Sequence, residues 1–321
     1  MKIGIPDDYL NTISTLDCFS LLQGHELVIL NKPEKDPEKL ASLLAGCEAL
    51  ILTRERTEIT EELLRKLPEL RLISQTGKIS SHLNLGLCSR YNVSVAEGVG
   101  SPVAPAELTW TLLLNTIRQV PQSIESMKQG KWQISMGSSI YGKTLGIWGY
   151  GKIGQKIAQY AKVFGAKVLV WGSESSRQKA VADGFEQAEN KEYLFSQADI
   201  VSIHLRLTES TFGIVKETDL LAMKENSVLI NTARAELIEP GALLKTLQGG
   251  KKFFVGIDVY EKEPIYDATY ALLQMPNVVC TPHLGYVEKN GFELYFRAAF
   301  ENVINFINGN PTHIANLETL K

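Results

Sequence analysis

The sequence predicts an α/β protein with two doubly wound, parallel-sheet domains. Its 321 residues are more than a single hydrophobic core usually serves, which favours two domains. Short apolar runs alternate with segments of helical periodicity in two separate series, the pattern of parallel sheets covered by helices on both faces. A glycine-rich turn after the first run of the second series is typical of a dinucleotide-binding sheet.

The two series supply the predicted strands, and two amphipathic helices follow them. The first series consists of residues 3–5, 27–30, 49–52, 70–74 and 93–95. The second consists of residues 144–148, 167–171, 199–204, 227–231, 253–259 and 278–281, which makes six strands. Residues 101–130 predict one long helix between the series, and residues 287–309 predict a closing helix that ends at Gly309.

Composition and charge disfavour several functional classes. The 33 basic and 36 acidic residues leave a net charge of -3, which favours neither a nucleic-acid nor a membrane partner. The 4 cysteines are scattered without C-x-x-C pairing, so no metal site is expected. No apolar run is long enough to span a membrane, and the chain opens in a strand-like run rather than a leader, which predicts a cytoplasmic protein.

The segment KTLGIWGYGKIGQK, residues 143–156, predicts a strand, a glycine turn and a helix in that order. Gly149 suits the tight turn, Gly151 lets the backbone approach a pyrophosphate, and Gly154 lets the helix pack closely on the strand. The next helical residues, Lys152 and Ile153, carry amide groups at the positive end of the helix dipole. The context predicts a dinucleotide site rather than an ordinary turn.

The turn after the second strand of this series favours NADP over NAD. An NAD site usually has an acidic residue at this strand end, but the sequence reads Trp171, Gly172, Ser173. The donors that could hold a 2'-phosphate are Ser173, Ser175, Ser176 and Arg177. An alternative remains open, in which the serines form only a solvated loop and Glu174 contacts the ribose.

Polar side chains follow three further strands of the second series. Arg234 lies in NTARAEL, Asp258 and Glu263 lie in GIDVYEKEP, and His283 lies in CTPHLG. Because ligands of open α/β sheets bind outside the carboxyl ends of the strands, these residues are expected to converge near the dinucleotide.

The motifs GYGKIG, NTAR, DVYEKEP and TPHLG, in this order, resemble those of the D-isomer-specific 2-hydroxyacid dehydrogenase family. The resemblance implies a Rossmann cofactor domain, residues 102–286, inserted into a flavodoxin-like substrate domain, residues 1–101 and 287–321. It also implies that Arg234 binds the substrate carboxylate and carbonyl, and that His283 donates a proton to the carbonyl oxygen. Glu263 would keep His283 protonated, and Asp258 would orient the nicotinamide.

The resemblance extends to further cofactor and substrate residues. Cofactor contacts are also expected from Leu205, Thr211, Thr232, Ala233 and Gly285. In the family, a glycine-rich loop after the fourth strand of the first domain binds the substrate carboxylate. Here that loop reads TGKISSHLN, so Gly77 and the amides of Lys78 and Ile79 are expected to serve, whereas Ser80, Ser81 and His82 depart from the family pattern.

These features predict a reductase that converts a small 2-keto acid to the D-2-hydroxy acid with NADPH or NADH. Glyoxylate or hydroxypyruvate is favoured as substrate, and the phosphoglycerate pair stays open because Lys78 suits a phosphate. A formate dehydrogenase would pair the histidine with glutamine, so Glu263 argues against that reaction. A dinucleotide-sensing binding protein of the corepressor type is the main alternative. The apolar helix after Ser101 suggests a homodimer.

Overall fold

The computed structural model describes residues 1–80 and 82–320 and contains two compact units. Unit 1 comprises Met1–Ser101 and Glu288–Lys321, and unit 2 comprises Pro102–Val287. Each unit is built on a parallel sheet, so the predicted fold class is confirmed. Within the described ranges, no helix combines the length and apolar character that crossing a bilayer requires.

Unit 1 has a five-stranded parallel sheet within its described residues, in the order β2-β1-β3-β4-β5. This is the flavodoxin-like strand order. The elements are β1 (Lys2–Ile5), β2 (Glu26–Ile29), α1 (Pro37–Leu43), β3 (Ala49–Leu52), α2 (Glu61–Lys66), β4 (Leu72–Gln75), α3 (Leu85–Arg90), β5 (Ser94–Ala96) and, after unit 2, the closing helix α11 (Lys289–Ile307).

Capping side chains and buried strands explain why these segments fold locally. Asp36, Thr60 and Asn84 cap the first turns of α1, α2 and α3 through their side-chain oxygens, which satisfies amides that the helices leave unpaired. All residues of β3 and β4 are buried, as expected for strands covered on both faces. The closing helix packs on β4, where the Ser74 hydroxyl donates to the Ala299 carbonyl at 2.9 Å.

Unit 2 has a seven-stranded parallel sheet within the part of it that is described, in the order β12-β11-β10-β9-β6-β7-β8. The order reverses between β6 and β9, which is where doubly wound sheets bind ligands. The elements are α4 (Val103–Arg118), α5 (Val120–Lys128), β6 (Thr144–Trp148), α6 (Lys152–Val163), β7 (Lys167–Trp171), α7 (Glu174–Ala182), β8 (Glu186–Gln187), α8 (Lys191–Gln197), β9 (Ile200–Ile203), α9 (Glu217–Ala222), β10 (Val228–Asn231), α10 (Ala242–Gln248), β11 (Phe254–Ile257) and β12 (Val278–Cys280).

Two details differ from the sequence prediction. The six-strand prediction missed β8, whose two residues are both exposed and carry no apolar signal. The single helix over residues 101–130 is also wrong, since Gln119 adopts a left-handed conformation between α4 and α5, with φ +52° and ψ +40°. Pro121 explains the break, because it lacks an N–H for the helix ladder and its ring would crowd the carbonyl four residues earlier.

The glycine turn between β6 and α6 has the geometry that its spacing predicted. Gly149 has a φ of +101°, and a side chain there would place Cβ 2.6 Å from the His204 carbonyl oxygen. A Cβ on Gly154 would lie 2.1 Å from the Gly149 carbonyl oxygen, so glycine lets α6 approach the turn. Gly151, which precedes α6, differs from Gly149 and Gly154, because a Cβ on Gly151 would meet no heavy atom within 4 Å.

This difference predicts stability losses of different size for two alanine substitutions. Gly154→Ala forces a Cβ against the Gly149 carbonyl, an overpacking that costs about 1–3 kcal/mol. We expect a lower Tm, by roughly 2–4 °C for each kcal/mol lost. Gly151→Ala is the matched control and is expected to cost less than about 1 kcal/mol, because its Cβ points into open space. Calorimetry on both variants tests this, and equal Tm values would contradict it.

Candidate active site

Three neighbouring strands of the unit 2 sheet end in turns that carry polar side chains. β10, β11 and β12 lie side by side and parallel, so their carboxyl ends meet at one edge of the sheet. Arg234 follows β10, Glu263 follows β11 and His283 follows β12. The three predicted catalytic residues therefore stand on adjacent turns of the edge where such sheets bind ligands.

The turn after β10 is held by Asn231, the last residue of that strand. Its buried side-chain nitrogen donates to the Arg234 carbonyl at 2.8 Å, and its side-chain oxygen accepts from the Ala233 N–H at 3.1 Å. The Arg234 guanidinium lies back on the same turn, with Nη1 donating to the Ala233 carbonyl at 2.6 Å. Asn231 thus fixes the backbone of Arg234, a role that its place in the NTAR motif could have indicated.

The imidazole of His283 is paired with the carboxylate of Glu263. Nδ1 of His283 lies 2.6 Å from Oε2 of Glu263. The other carboxylate oxygen, Oε1, accepts from the Tyr260 N–H at 2.9 Å, which holds Glu263 within its own turn. With Nδ1 bound to the carboxylate, Nε2 is the ring nitrogen left to exchange a proton. The side chains are 24% and 33% exposed, so the pair is open to a ligand.

The carboxylate of Asp258, directly after β11, is fully buried and holds the His283 turn. Oδ1 accepts from the Thr281 hydroxyl and the Leu284 N–H, both at 2.7 Å, and Oδ2 accepts from the Gly285 N–H at 2.9 Å. Burial raises the pKa of Asp258, while these three hydrogen bonds act in the opposite direction. Asp258 therefore stabilises the turn that carries His283, and with it the His283–Glu263 pair.

The glycine turn after β6 is bordered by the residues that follow β9. The Leu205 side chain lies 3.2 Å from the place that a Cβ on Gly149 would occupy. His204 bonds through Nε2 to the Ser202 hydroxyl at 2.8 Å, and burial lowers the pKa of His204 to about 4. A neutral, hydrogen-bonded His204 therefore lies beside the turn as a structural group.

The turn after β7 contains the residues expected to select the cofactor. Ser173 caps α7, where its Oγ accepts from the Ser176 N–H at 3.3 Å. The Arg177 guanidinium stacks over the Trp171 ring, with 4.6 Å between its central carbon and the ring centroid. Nε of Arg177 is buried and has no hydrogen-bond partner among residues 1–80 and 82–320. The stacking holds the cation beside the turn without using this donor.

The remaining predicted cofactor residues anchor local turns of unit 2. The Thr211 hydroxyl donates to the Arg206 carbonyl at 2.7 Å, which closes the loop after β9. The Thr232 and Thr109 hydroxyls are 2.6 Å apart and connect the turn after β10 to α4. These contacts fix where the backbone of each loop lies.

In unit 1, the loop after β4 is engaged by a neighbouring carboxylate. The Ile79 N–H donates to Oε1 of Glu97 at 3.2 Å, and the Lys78 ammonium pairs with Oε2 of the same residue. One of the amides expected to bind a substrate carboxylate, that of Ile79, is therefore already occupied, and the Lys78 ammonium is paired with the same glutamate. A substrate carboxylate at this position would have to displace Glu97. Ser81, which departs from the family pattern, lies outside the described residues.

A cation that the sequence prediction missed lies over this loop. A Cβ on Gly77 would fall 2.1 Å from Nη1 of Arg54, so the glycine leaves room for the guanidinium. Arg54 has a φ of +54°, and both of its backbone groups are held: its N–H donates to the Thr76 hydroxyl at 2.9 Å, and its carbonyl accepts from the Gln75 side chain at 2.7 Å. Its position just beyond β3 was the signal that could have found it.

Comparison with known proteins agrees with this geometry. Residues 110–285 match the family model described as D-isomer specific 2-hydroxyacid dehydrogenase, NAD binding domain. D-3-phosphoglycerate dehydrogenase of Rattus norvegicus is 32% identical over 293 residues, covering 90% of this chain and 54% of the rat protein. The chain thus spans about half the length of the first curated relatives that it matches.

Two further proteins are similar to this chain over almost the whole length of both sequences. Glyoxylate reductase of Thermococcus litoralis is 30% identical over 308 residues, which is 92% of each chain. The crystal structure of phosphoglycerate oxidoreductase from Vibrio cholerae o395 superimposes with a TM-score of 0.94 at 52% identity, over 96% of this chain and 99% of that one. By its fold, its motifs and these matches, the chain belongs to the D-isomer specific 2-hydroxyacid dehydrogenase family.

Proposed function

We propose that this protein reduces a small 2-keto acid to the D-2-hydroxy acid, with NADPH or NADH as the hydride donor. The observation that carries the proposal is the His283–Glu263 pair, with 2.6 Å between Nδ1 and Oε2, on the same sheet edge as Arg234. An acid and a cation beside one another are what a ketone reduction requires, because negative charge develops on the carbonyl oxygen.

The residues around the glycine turn fit a nicotinamide dinucleotide. Open space at Gly151 lets a pyrophosphate approach the backbone, and the N-terminus of α6 offers amides with a positive dipole end. When bound, the reduced nicotinamide supplies the hydride. The residues proposed to hold the dinucleotide are Gly149, Gly151, Lys152, Ile153, Gly154, Ser173, Ser176, Arg177, Leu205, Thr211, Thr232, Ala233, Asp258 and Gly285.

Arg234, His283 and Glu263 at the sheet edge have different proposed roles in the reduction. The Arg234 guanidinium binds the substrate carboxylate and polarises the carbonyl oxygen, since its planar fork can bond two oxygens. Nε2 of His283 gives its proton to that oxygen as the carbonyl carbon is reduced. The Glu263 carboxylate at Nδ1 stabilises the imidazolium before the transfer and sets the tautomer after it.

Glyoxylate and hydroxypyruvate are the proposed substrates, with phosphohydroxypyruvate as the alternative. The pairing of Lys78 with Glu97 reduces the charge that Lys78 offers to a substrate phosphate, which supports the unphosphorylated acids. Arg54 over Gly77 supports the alternative, because it supplies a second cation in unit 1. The names of the relatives also divide, between glyoxylate reductase and phosphoglycerate dehydrogenase.

The reaction is tested with a substrate panel on the wild type and on His283→Ala. Glyoxylate, hydroxypyruvate and phosphohydroxypyruvate are assayed with each reduced cofactor. His283→Ala is expected to lower kcat by about 10²–10⁴-fold, because the proton donor is lost, and to leave the dissociation constant of NAD(P)H within about twofold. A wild type that binds NAD(P)H without oxidising it would favour the dinucleotide sensor. Undiminished turnover by the variant would refute the role of His283.

We further propose that NADPH is preferred over NADH. The turn after β7 has Gly172 and Ser173 where a ribose-binding carboxylate is usual, and the stacked Arg177 is placed beside it. Arg177→Ala is expected to raise the KM for NADPH about tenfold, the loss of one charge-assisted hydrogen bond, and to leave the KM for NADH within about twofold. Lys179→Ala, on the same helix, is the control. Equal KM changes for both cofactors would contradict the preference.

A homodimer is the proposed assembly. The segment between α5 and β6 exposes four large apolar side chains, Trp132 at 75%, Ile134 at 50%, Met136 at 94% and Tyr141 at 79%. Exposed apolar residues clustered in this way mark interaction surfaces, and a second copy of the chain is the partner that is always present. They extend the apolar surface predicted on the preceding helix.

Light scattering on the wild type and on Trp132→Ser tests the dimer. The wild type is expected at twice the chain mass of 35.6 kDa. The variant is expected to dissociate at a higher protein concentration than the wild type, because the interface loses an indole that the dimer would bury. Tyr266→Ser, a change at a side chain that is 74% exposed elsewhere in unit 2, is the control and should not alter the mass. A monomeric wild type would overturn the proposal.

A further inference from the structure

The backbone of His283 is held in a conformation that a histidine does not adopt unaided. Its φ is +52°, in the left-handed region that is unfavourable for a residue with a Cβ. The Asp258 carboxylate compensates by accepting hydrogen bonds from Thr281, Leu284 and Gly285 on both sides of the histidine. These bonds hold the main chain, but they leave the torsion angles of the imidazole side chain undetermined.

The hydrogen bond to Glu263 restricts the imidazole without fixing its plane. A single contact of 2.6 Å at Nδ1 sets the position of one ring atom. The ring can still pivot about the line that joins Nδ1 to Oε2, and such a pivot would swing Nε2 away from a substrate oxygen. A second contact on the ring is needed to fix the direction in which Nε2 points.

Tyr286 makes that second contact. Its ring meets the imidazole of His283 edge to face, with 5.5 Å between centroids and 77° between planes. In the turn that follows, the Val287 N–H donates to the Leu284 carbonyl at 2.9 Å, and the tyrosine ring lies against the histidine ring. Tyr286 is only 6% exposed, so its ring is confined by packing and offers the imidazole a fixed surface.

We propose that Tyr286 is a positioning residue, which orients the imidazole of His283 so that Nε2 faces the substrate. The proposal rests on the proposed function and names the residue that sets its geometry. Tyr286 takes no proton and contacts no reacting atom in this role.

The test compares three variants in steady-state reduction of the best substrate of the panel. Tyr286→Leu removes the edge-to-face pair and is expected to lower kcat about tenfold as the imidazole loses its orientation. Tyr286→Phe keeps the ring and is expected to restore kcat to within about threefold of the wild type. Tyr193→Leu, a change at a partly exposed tyrosine of α8, is the control and should leave kcat unchanged.

Further readouts separate positioning from a general loss of structure. The dissociation constant of NAD(P)H for Tyr286→Leu should stay close to that for Tyr286→Phe, so that the effect appears in kcat. On a His283→Ala background, Tyr286→Leu should lower the residual rate no further, because its effect passes through the imidazole. A full additional decrease on that background, or an unchanged kcat in the single variant, would overturn the proposal. A wild type without reductase activity would instead refute the proposed function.

Discussion

The catalytic edge of unit 2 depends on the buried carboxylate of Asp258. It is the only group within the described residues that binds the Thr281 hydroxyl and the Leu284 and Gly285 amides together, and it stands directly after a neighbouring strand. Burying a carboxylate without such partners would cost several kcal/mol, so the turn and the carboxylate stabilise each other. Through this turn, the end of β11 determines where the histidine after β12 lies.

Parallel strands explain how distant residues reach one edge. Every strand of the unit 2 sheet runs in the same direction, so each connection returns the chain and delivers its next turn to the same side. Gly149 and Gly151 follow β6, an interior strand, whereas Arg234, Glu263 and His283 follow β10, β11 and β12. The part of the sheet edge near β6 presents backbone amides, which suit phosphate groups. The part near β12 presents charged side chains, which suit proton transfer and the binding of a carboxylate.

The two units differ in how well their polar groups are prepared for a ligand. In unit 2, Glu263 holds the imidazole of His283 and leaves its Nε2 available, and Asn231 holds the backbone of Arg234. In unit 1, Glu97 occupies the Ile79 amide that was expected to bind the substrate, and Arg54 takes a position over Gly77. This arrangement is why the reaction type is better supported than the identity of the substrate.

The sequence by itself determined the two parallel-sheet domains, the glycine turn and the order of the motifs. These features are carried by local signals, namely the period of apolar residues and the spacing of glycines at Gly149 and Gly154. The tertiary structure alone decided the pairing of Glu97 with Ile79, the placement of Arg54 over Gly77 and the contact of Tyr286 with His283. It also decided the short strand β8, whereas the break at Gln119 follows from Pro121, a local signal already present in the sequence. Side-chain packing and strand order set these contacts, and neither leaves a periodic trace in the chain.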